Sequence, residues 1–165
     1  MRNYQVASFG DFRCSNCGAL VSSMHMLSAV NNRNHCPYCL WSSHLDLYSA
    51  GDRLSACKAG MKPVGLTMKK SRNKYQAGPR GELMLVHACV ECSTVSINRI
   101  AADDDPERVL AVFKSSFDLN GDESIGRHAI EMLHTEDARV IYSQLYGEIW
   151  NSHDVKFPFQ LEGDF

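Results

Sequence analysis

The 165-residue chain has no apolar run approaching the roughly 18 residues of a membrane span, so a membrane-embedded reading is excluded. The opening MRNYQVASFGDF offers no apolar stretch for a secretory signal, and a cytoplasmic protein is expected. Low-complexity tracts are also missing, and no internal repeat stands beyond a recurring C-x-x-C unit. Acidic side chains are scarce in one place. Residues 1–100 hold 12 Lys+Arg against 5 Asp+Glu, a balance of +7, whereas residues 101–165 hold 5 against 14, a balance of −9. Apolar runs are thin in the first hundred residues, and a region of that kind needs a metal or a disulfide to fold.

What the chain has in quantity is cysteine. Seven of them in a reducing compartment favour metal ligation over disulfides, and their odd number points the same way. Cys14-Ser15-Asn16-Cys17 and Cys36-Pro37-Tyr38-Cys39 form two C-x-x-C pairs 18 residues apart. A tight turn lets both thiolates of a pair fill corners of one Zn²⁺ tetrahedron, with Zn–S bonds of about 2.3 Å. Gly18 is free to take the positive φ such a turn needs, and Pro37 suits the second position of a type I turn. A thioredoxin-like redox pair fits poorly, because it uses a single C-x-x-C at a helix start.

The third pair, Cys89-Val90-Glu91-Cys92, has Cys57 as its companion, one ligand short of a closed site. His87 leads as the fourth, since residues 87 and 89 of a strand share a face. His44 is the runner-up, and a water in the fourth position would make the site catalytic. Two zinc ions are expected. Zinc thiolate chemistry lowers the front-half charge from +7 to +4, because a four-thiolate site contributes −2 and a three-thiolate, one-imidazole site −1. The remaining charge is still basic.

The rest of the front half reads as short strands and turns. Leu83 to Ala88 is strand-like, and Thr94 to Ile100 alternates with Val95, Ile97 and Arg99 on one face. Gly51-Asp52, Gly60, Gly65 and Gly78-Pro79 read as turn punctuation. Beyond Asp103-Asp104-Asp105 the pattern becomes helical. Asp105 is the N-cap, Pro106 the first helical residue, and Val109, Leu110, Val112 and Phe113 the apolar side. Asn120-Gly121-Asp122 makes a turn, a second helix spans Ile125 to Leu133, and a third runs from Thr135 as N-cap to about Trp150. Ala138, Ile141, Leu145 and Ile149 recur at helical spacing and should pack in a core, leaving Tyr142, Tyr146 and Trp150 as a conceivable partner surface. Asp118 to Ile125 imitates the start of a calcium loop but has Glu123 where glycine belongs and Ala129 where the bidentate glutamate belongs.

Arg33-Asn34-His35-Cys36-Pro37 spells RNHCP and runs on to Leu45-Asp46. Together with Phe12 to Gly18, Gly51-Asp52-Arg53 leading to Cys57, Met61, Pro63, Val86 to Cys92, Asn98-Arg99 and Asp103-Asp104, it closely resembles the RNHCP domain family of small zinc-binding proteins. The resemblance covers roughly residues 9 to 105 and implies zinc binding without supplying an activity. A glycine often follows the last cysteine in that family, whereas Ser93 stands here, which leaves the turn after Cys92 open.

The expected architecture is α+β: a small zinc-ribbon-like antiparallel domain over 1–105 and a helical extension over 106–165. Three functions compete. A basic surface of Lys69, Lys70, Arg72, Lys74, Tyr75 and Arg99 would bind RNA or the ribosome, with Asn98 also able to contact phosphate or base. The acidic helical tail would instead dock a protein partner. A zinc-dependent hydrolase or nuclease would use His44, Asp46 and His87 around an open zinc position.

Overall fold

A computed structural model describes residues 10–69, 81–119 and 130–147. Two antiparallel sheets carry the front of the chain. The small one pairs β1 (Phe12–Arg13) with β2 (Leu20–Val21), and a short helix α1 (His25–Ser28) follows. The larger sheet has the order β3-β4-β5-β6, with β3 at Ser42–Ser43, β4 at Gly60–Lys69, β5 at Glu82–Cys89 and β6 at Val95–Arg99. Helix α2 (Pro106–Ser115) continues into a 3-10 turn, Ser116–Leu119, and a second 3-10 turn (Thr135–Asp137) leads into α3 (Ala138–Tyr146). No helix among the described residues is long and apolar enough to cross a membrane. The α+β class and the antiparallel sheet agree with the sequence reading.

β5 is the centre of the molecule. It is paired on both edges, Met84 facing Arg99 on one side and Thr67 on the other. It is buried from Leu83 to His87, as a strand covered on both faces must be. Leu66, Leu83 and Leu85 meet Val109, Leu110 and Phe113 of α2 and Ala138, Ile141 and Tyr142 of α3 in one cluster. Leu40 joins it from the second C-x-x-C turn. Each such side chain contributes about 1.5–3 kcal/mol of burial. The helices beyond residue 105 therefore share their core with the zinc-region strands. On the opposite face Val64, Val86 and Val95 pack with Ile130 and Met132.

The helix start at Asp105 is as expected: its carboxylate accepts from Glu107 N at 3.0 Å, ahead of Pro106. Three other expectations change. Residues 130–133, expected in a second helix, are extended along β4, with Leu133 N donating to Leu66 O at 2.9 Å and Met132 bridged to Thr67. β3 covers only the first residues of β4, which leaves the edge at Leu66 and Thr67 for this segment. Ile130 and Met132 then fall on one face and Leu133 on the other, a period of two that a helix reading hid. Residues 120–129, including the expected turn and all but Asp118 and Leu119 of the calcium-like loop, lie outside the described residues.

Gly60 and Gly65, expected in turns, lie inside β4. A Cβ at Gly60 would sit 3.3 Å from the Trp41 ring, and one at Gly65 would collide with the Met132 methyl. Both glycines admit a neighbour's close approach, and a bulge between Pro63 and Gly65 accommodates the proline's missing N–H. Thr135, expected as the cap of the third helix, instead begins the 3-10 turn, which His134 caps; α3 starts after Asp137, and Gly147 at φ 86° ends it, with residues 148–165 outside the described ones.

Candidate metal centres

Three C-x-x-C turns share one geometry. The amide of the residue after the second cysteine returns to the carbonyl of the first: Gly18 to Cys14 at 2.9 Å, Leu40 to Cys36 at 2.8 Å, Ser93 to Cys89 at 3.2 Å. The amide of the first cysteine reaches the carbonyl five residues on, Ala19, Trp41 or Thr94, at 2.8–2.9 Å. Closing both bonds forces a left-handed residue after the second cysteine, and Gly18, Leu40 and Ser93 have φ of 76°, 61° and 58°. Ser93 thus makes the turn that glycine would make. Leu40 accepts the strain while anchoring its side chain, fully buried, in the main core.

The first two turns face each other. Cys14, Cys17, Cys36 and Cys39 place four sulfurs within 4.8 Å of one another. Cys14 Sγ is 3.5 Å from Cys39 Sγ, and Cys17 Sγ is 3.7 Å from Cys36 Sγ. A tetrahedron of Zn–S bonds near 2.3 Å has edges of about 3.8 Å, so the donor set fits zinc.

The third turn meets His44 and Cys57, and the ligand atoms of His44, Cys57, Cys89 and Cys92 again lie within 4.8 Å. Cys57 Sγ is 3.6 Å from Cys89 Sγ, and His44 Nδ1 is 3.3 Å from Cys92 Sγ. These are the two zinc sites. His87, expected as the fourth ligand, is not among these donors. It shares a strand face with Cys89 but lies two residues further into the sheet, about 7 Å along the strand. The sheet end is where the site forms: Ser42, Met61 and Cys89 are in register across β3, β4 and β5, and His44 N donates to Ala59 O at 2.8 Å just beyond.

The loop from His44 to Cys57 is shaped by two aspartates. Asp46 accepts from Gly51 N at 2.7 Å, Arg53 N at 3.1 Å and Asn34 Nδ2 at 3.0 Å. Asp52 accepts from the amides of Leu47, Tyr48, Ser49 and Leu54, which hold its carboxyl well below the usual range. Neither carboxylate contacts His44. The His44–Asp46–His87 constellation of a hydrolase is not brought together.

Taken by themselves the thiols differ sharply. Burial pushes Cys36 up to about 12. The Ala19 amide draws Cys17 down to about 7, and the Thr94 hydroxyl and amide draw Cys92 down to about 6. Each cluster thus has an exposed, readily ionised sulfur at its mouth, and Cys36 is a buried one that needs a cation to ionise.

Behind the sites lies a buried polar network. Arg33, its side chain 1% exposed, donates to Asp103 at 2.7 Å, to Asp104 at 3.4 Å and through Nε to the His35 carbonyl at 3.1 Å. His35 Nε2 is 2.8 Å from Asp104 Oδ2, which also accepts from Ala101 N at 2.7 Å. His35, beside the ligand Cys36, gives its ring to Asp104 and is not among the metal-site donors. The fully buried His87 places Nε2 2.7 Å from Leu40 O and Nδ1 3.0 Å from Asn98 Nδ2, and burial pushes it down to about 3. Sequence reasoning alone did not place Asp104 on His35 or Asp46 on Asn34, since these contacts span 69 and 12 residues.

Of the expected nucleic-acid contacts, Lys69 ends β4, and Arg99 ends β6 with its Nε 3.0 Å from Glu82 Oε1. Lys70, Arg72, Lys74 and Tyr75 lie outside the described residues. Against known families, the model of the RNHCP domain matches residues 9–110. No curated protein and no solved structure matches the chain.

Proposed function

The chain belongs to the RNHCP domain family, and from that premise we propose a zinc-stapled binding module of the cytoplasm that engages RNA or the ribosome. The observation that carries this reading is that each metal cluster has four protein donors. A zinc held by four side chains has no corner for an activated water and works as a structural staple, worth about 10–16 kcal/mol of apparent binding energy. That exceeds the whole stability of a small domain. A sheet fixed in this way serves as a platform.

The front half supports a polyanionic partner. Its charge stays near +4 after zinc ligation is counted, by the same Lys, Arg, Asp and Glu tally. Lys69 opens the basic run that continues with Lys70, Arg72, Lys74 and Tyr75 in the sequence, and Arg99 sits at the corresponding end of β6. Such a run supplies phosphate contacts and one aromatic stacking face. The adaptor reading is less well supported, because Ala138, Ile141 and Tyr142 of the tail are buried in the core. The test is filter binding of zinc-loaded protein to structured RNA across a salt series. Affinity should fall log-linearly with salt, and absence of binding at low salt ends the proposal.

A further inference from the structure

β6 is an edge strand: β5 pairs with one side of it, and no described residue pairs with the other. The Cys89 amide reaches Thr94 O at 2.9 Å, so alternation along the antiparallel ladder turns the backbone of Ser96 and Asn98 toward β5. The N–H and C=O groups of Val95, Ile97 and Arg99 therefore point outward. They repeat about every 6.8 Å, a spacing that a second extended polypeptide matches. Two cavities, of about 190 and 370 Å³, lie along this edge and share Ala50, Ile97 and Asn98. The first extends to Thr94 and the second to Arg99, so the space runs the length of the strand. Folded proteins cover an open edge of this kind or blunt it.

The chain itself supplies a cover. α3 ends at Gly147, and Leu145 in its last turn lines a further cavity together with Arg99 and Ile100. The described chain thus stops beside the Arg99 end of β6, with residues 148–165 still to follow. In their sequence Val155, Phe157, Phe159 and Leu161 alternate with Lys156, Pro158 and Gln160, a period of two. The stretch 148–154 reaches up to about 25 Å when extended, enough to return to the edge. Residues 148–165 also hold Glu148, Asp154, Glu162 and Asp164 against the single Lys156, whereas Lys69 and Arg99 line the larger cavity.

We propose that residues 155–161 add to the open edge of β6 as an antiparallel strand entering from the Arg99 end. Proline fixes the phase. Pro158 has no N–H to give, so its backbone faces away from β6. Val155, Phe157, Phe159 and Leu161 are then the residues bonded to β6, opposite Val95, Ile97 and Arg99. Directly opposed residues share a face of the sheet, so the phenyl rings fall beside Val95 and the exposed Ile97. The phase that spares the ladder is also the phase that covers the apolar side chain. Pro158 on the new outer edge would in turn prevent further strand addition.

The experiment follows amide hydrogen exchange, residue by residue, in three zinc-loaded proteins: the full chain, the full chain with Phe157→Asp and Phe159→Asp, and a chain ending at Gly147. In the full chain the outward amides of Val95, Ile97 and Arg99 should be protected, like the inward ones of Ser96 and Asn98. In the other two proteins the outward amides should exchange at least roughly tenfold faster, with Ser96 and Asn98 unchanged. A synthetic peptide of residues 148–165 added to the shortened chain should restore their protection. Zinc content and the inward amides report on folding of each variant. Fast outward amides in the full chain overturn the proposal without recourse to a variant. Equal protection in all three proteins overturns it as well. If that protection rises with protein concentration, a second copy of the chain holds the edge instead.

Discussion

His44 Nδ1 stands 3.3 Å from Cys92 Sγ across 48 residues of chain, while His87, only two residues from Cys89, donates to Leu40 O instead. The two histidines therefore fail differently when removed. His44→Ala should reduce bound zinc from two ions per chain to one, and His44→Cys should restore the second, since four thiolates also close a tetrahedron. His87→Ala should keep both ions. It leaves the buried Leu40 carbonyl without its partner, at a cost of about 1–3 kcal/mol, while the half-buried Asn98 amide can turn to water. Zinc quantified by elemental analysis, together with thermal melts, separates the two outcomes. Loss of zinc from His87→Ala with retention in His44→Ala would reverse the ligand assignment.

Ser93 and Leu40 occupy equivalent left-handed positions, with φ of 58° and 61°, but only Leu40 is buried. Ser93→Gly relieves the backbone and should stabilise the zinc-loaded protein by up to about 1 kcal/mol, after the entropy glycine adds to the unfolded chain. Leu40→Gly relieves the same strain but empties a core position and should destabilise by about 2–5 kcal/mol. Denaturant titrations at saturating zinc measure both. A destabilised Ser93→Gly would mean that the serine side chain contributes something its backbone does not account for.

The zinc centres were legible because their information is local. C-x-x-C is a turn and a ligand pair in four residues, and three copies of it stand in the sequence. The helix at Pro106 was legible for the same reason, its cap and first turn lying within three residues. The fourth ligand was not, because sharing a strand face with Cys89 says nothing of the distance to the sheet end. Only the register of Ser42, Met61 and Cys89 locates that end. β4 was hidden by Gly60 and Gly65, whose reason for being glycine is the Trp41 ring and the Met132 methyl, both distant in sequence. The same long-range pairing with β4 explains why residues 130–133 are extended.

Tyr146 links α3 to α2, its hydroxyl donating to Glu107 Oε1 at 2.7 Å. Burial, then the Glu107 carboxylate, pushes the phenol up to about 12 from 10. The neutral phenol is thus favoured in the folded state. Between those values the unfolded chain has released a proton the folded chain keeps, so stability should fall as pH rises from about 10 to about 12 and be unaffected below. Tyr146→Phe should remove that alkaline component while costing about 0.5–1.5 kcal/mol at neutral pH. Phenolate absorbance against pH, compared between the two proteins, shows whether a late-titrating tyrosine disappears.

Asp103 and Asp104 both meet Arg33, but their surroundings separate them. Asp103 has a side chain one-third exposed and a single ion pair, whereas Asp104 is fully buried between Arg33, His35 and Ala101 N. Removing Asp103 should cost no more than about 1 kcal/mol, as for a pair that water screens. Removing Asp104 leaves a buried guanidinium short of its buried anion, and Asp104→Ala should cost about 3–5 kcal/mol. The loss also has a direction. Arg33 Nε holds the His35 carbonyl, one residue before Cys36, so disorder there reaches the four-cysteine site first. Zinc should therefore leave that site in competition with a chelator before it leaves the site containing His44. Equal stability losses in the two aspartate variants, or simultaneous release from both sites, would show that the buried pair does not hold the second C-x-x-C turn in place.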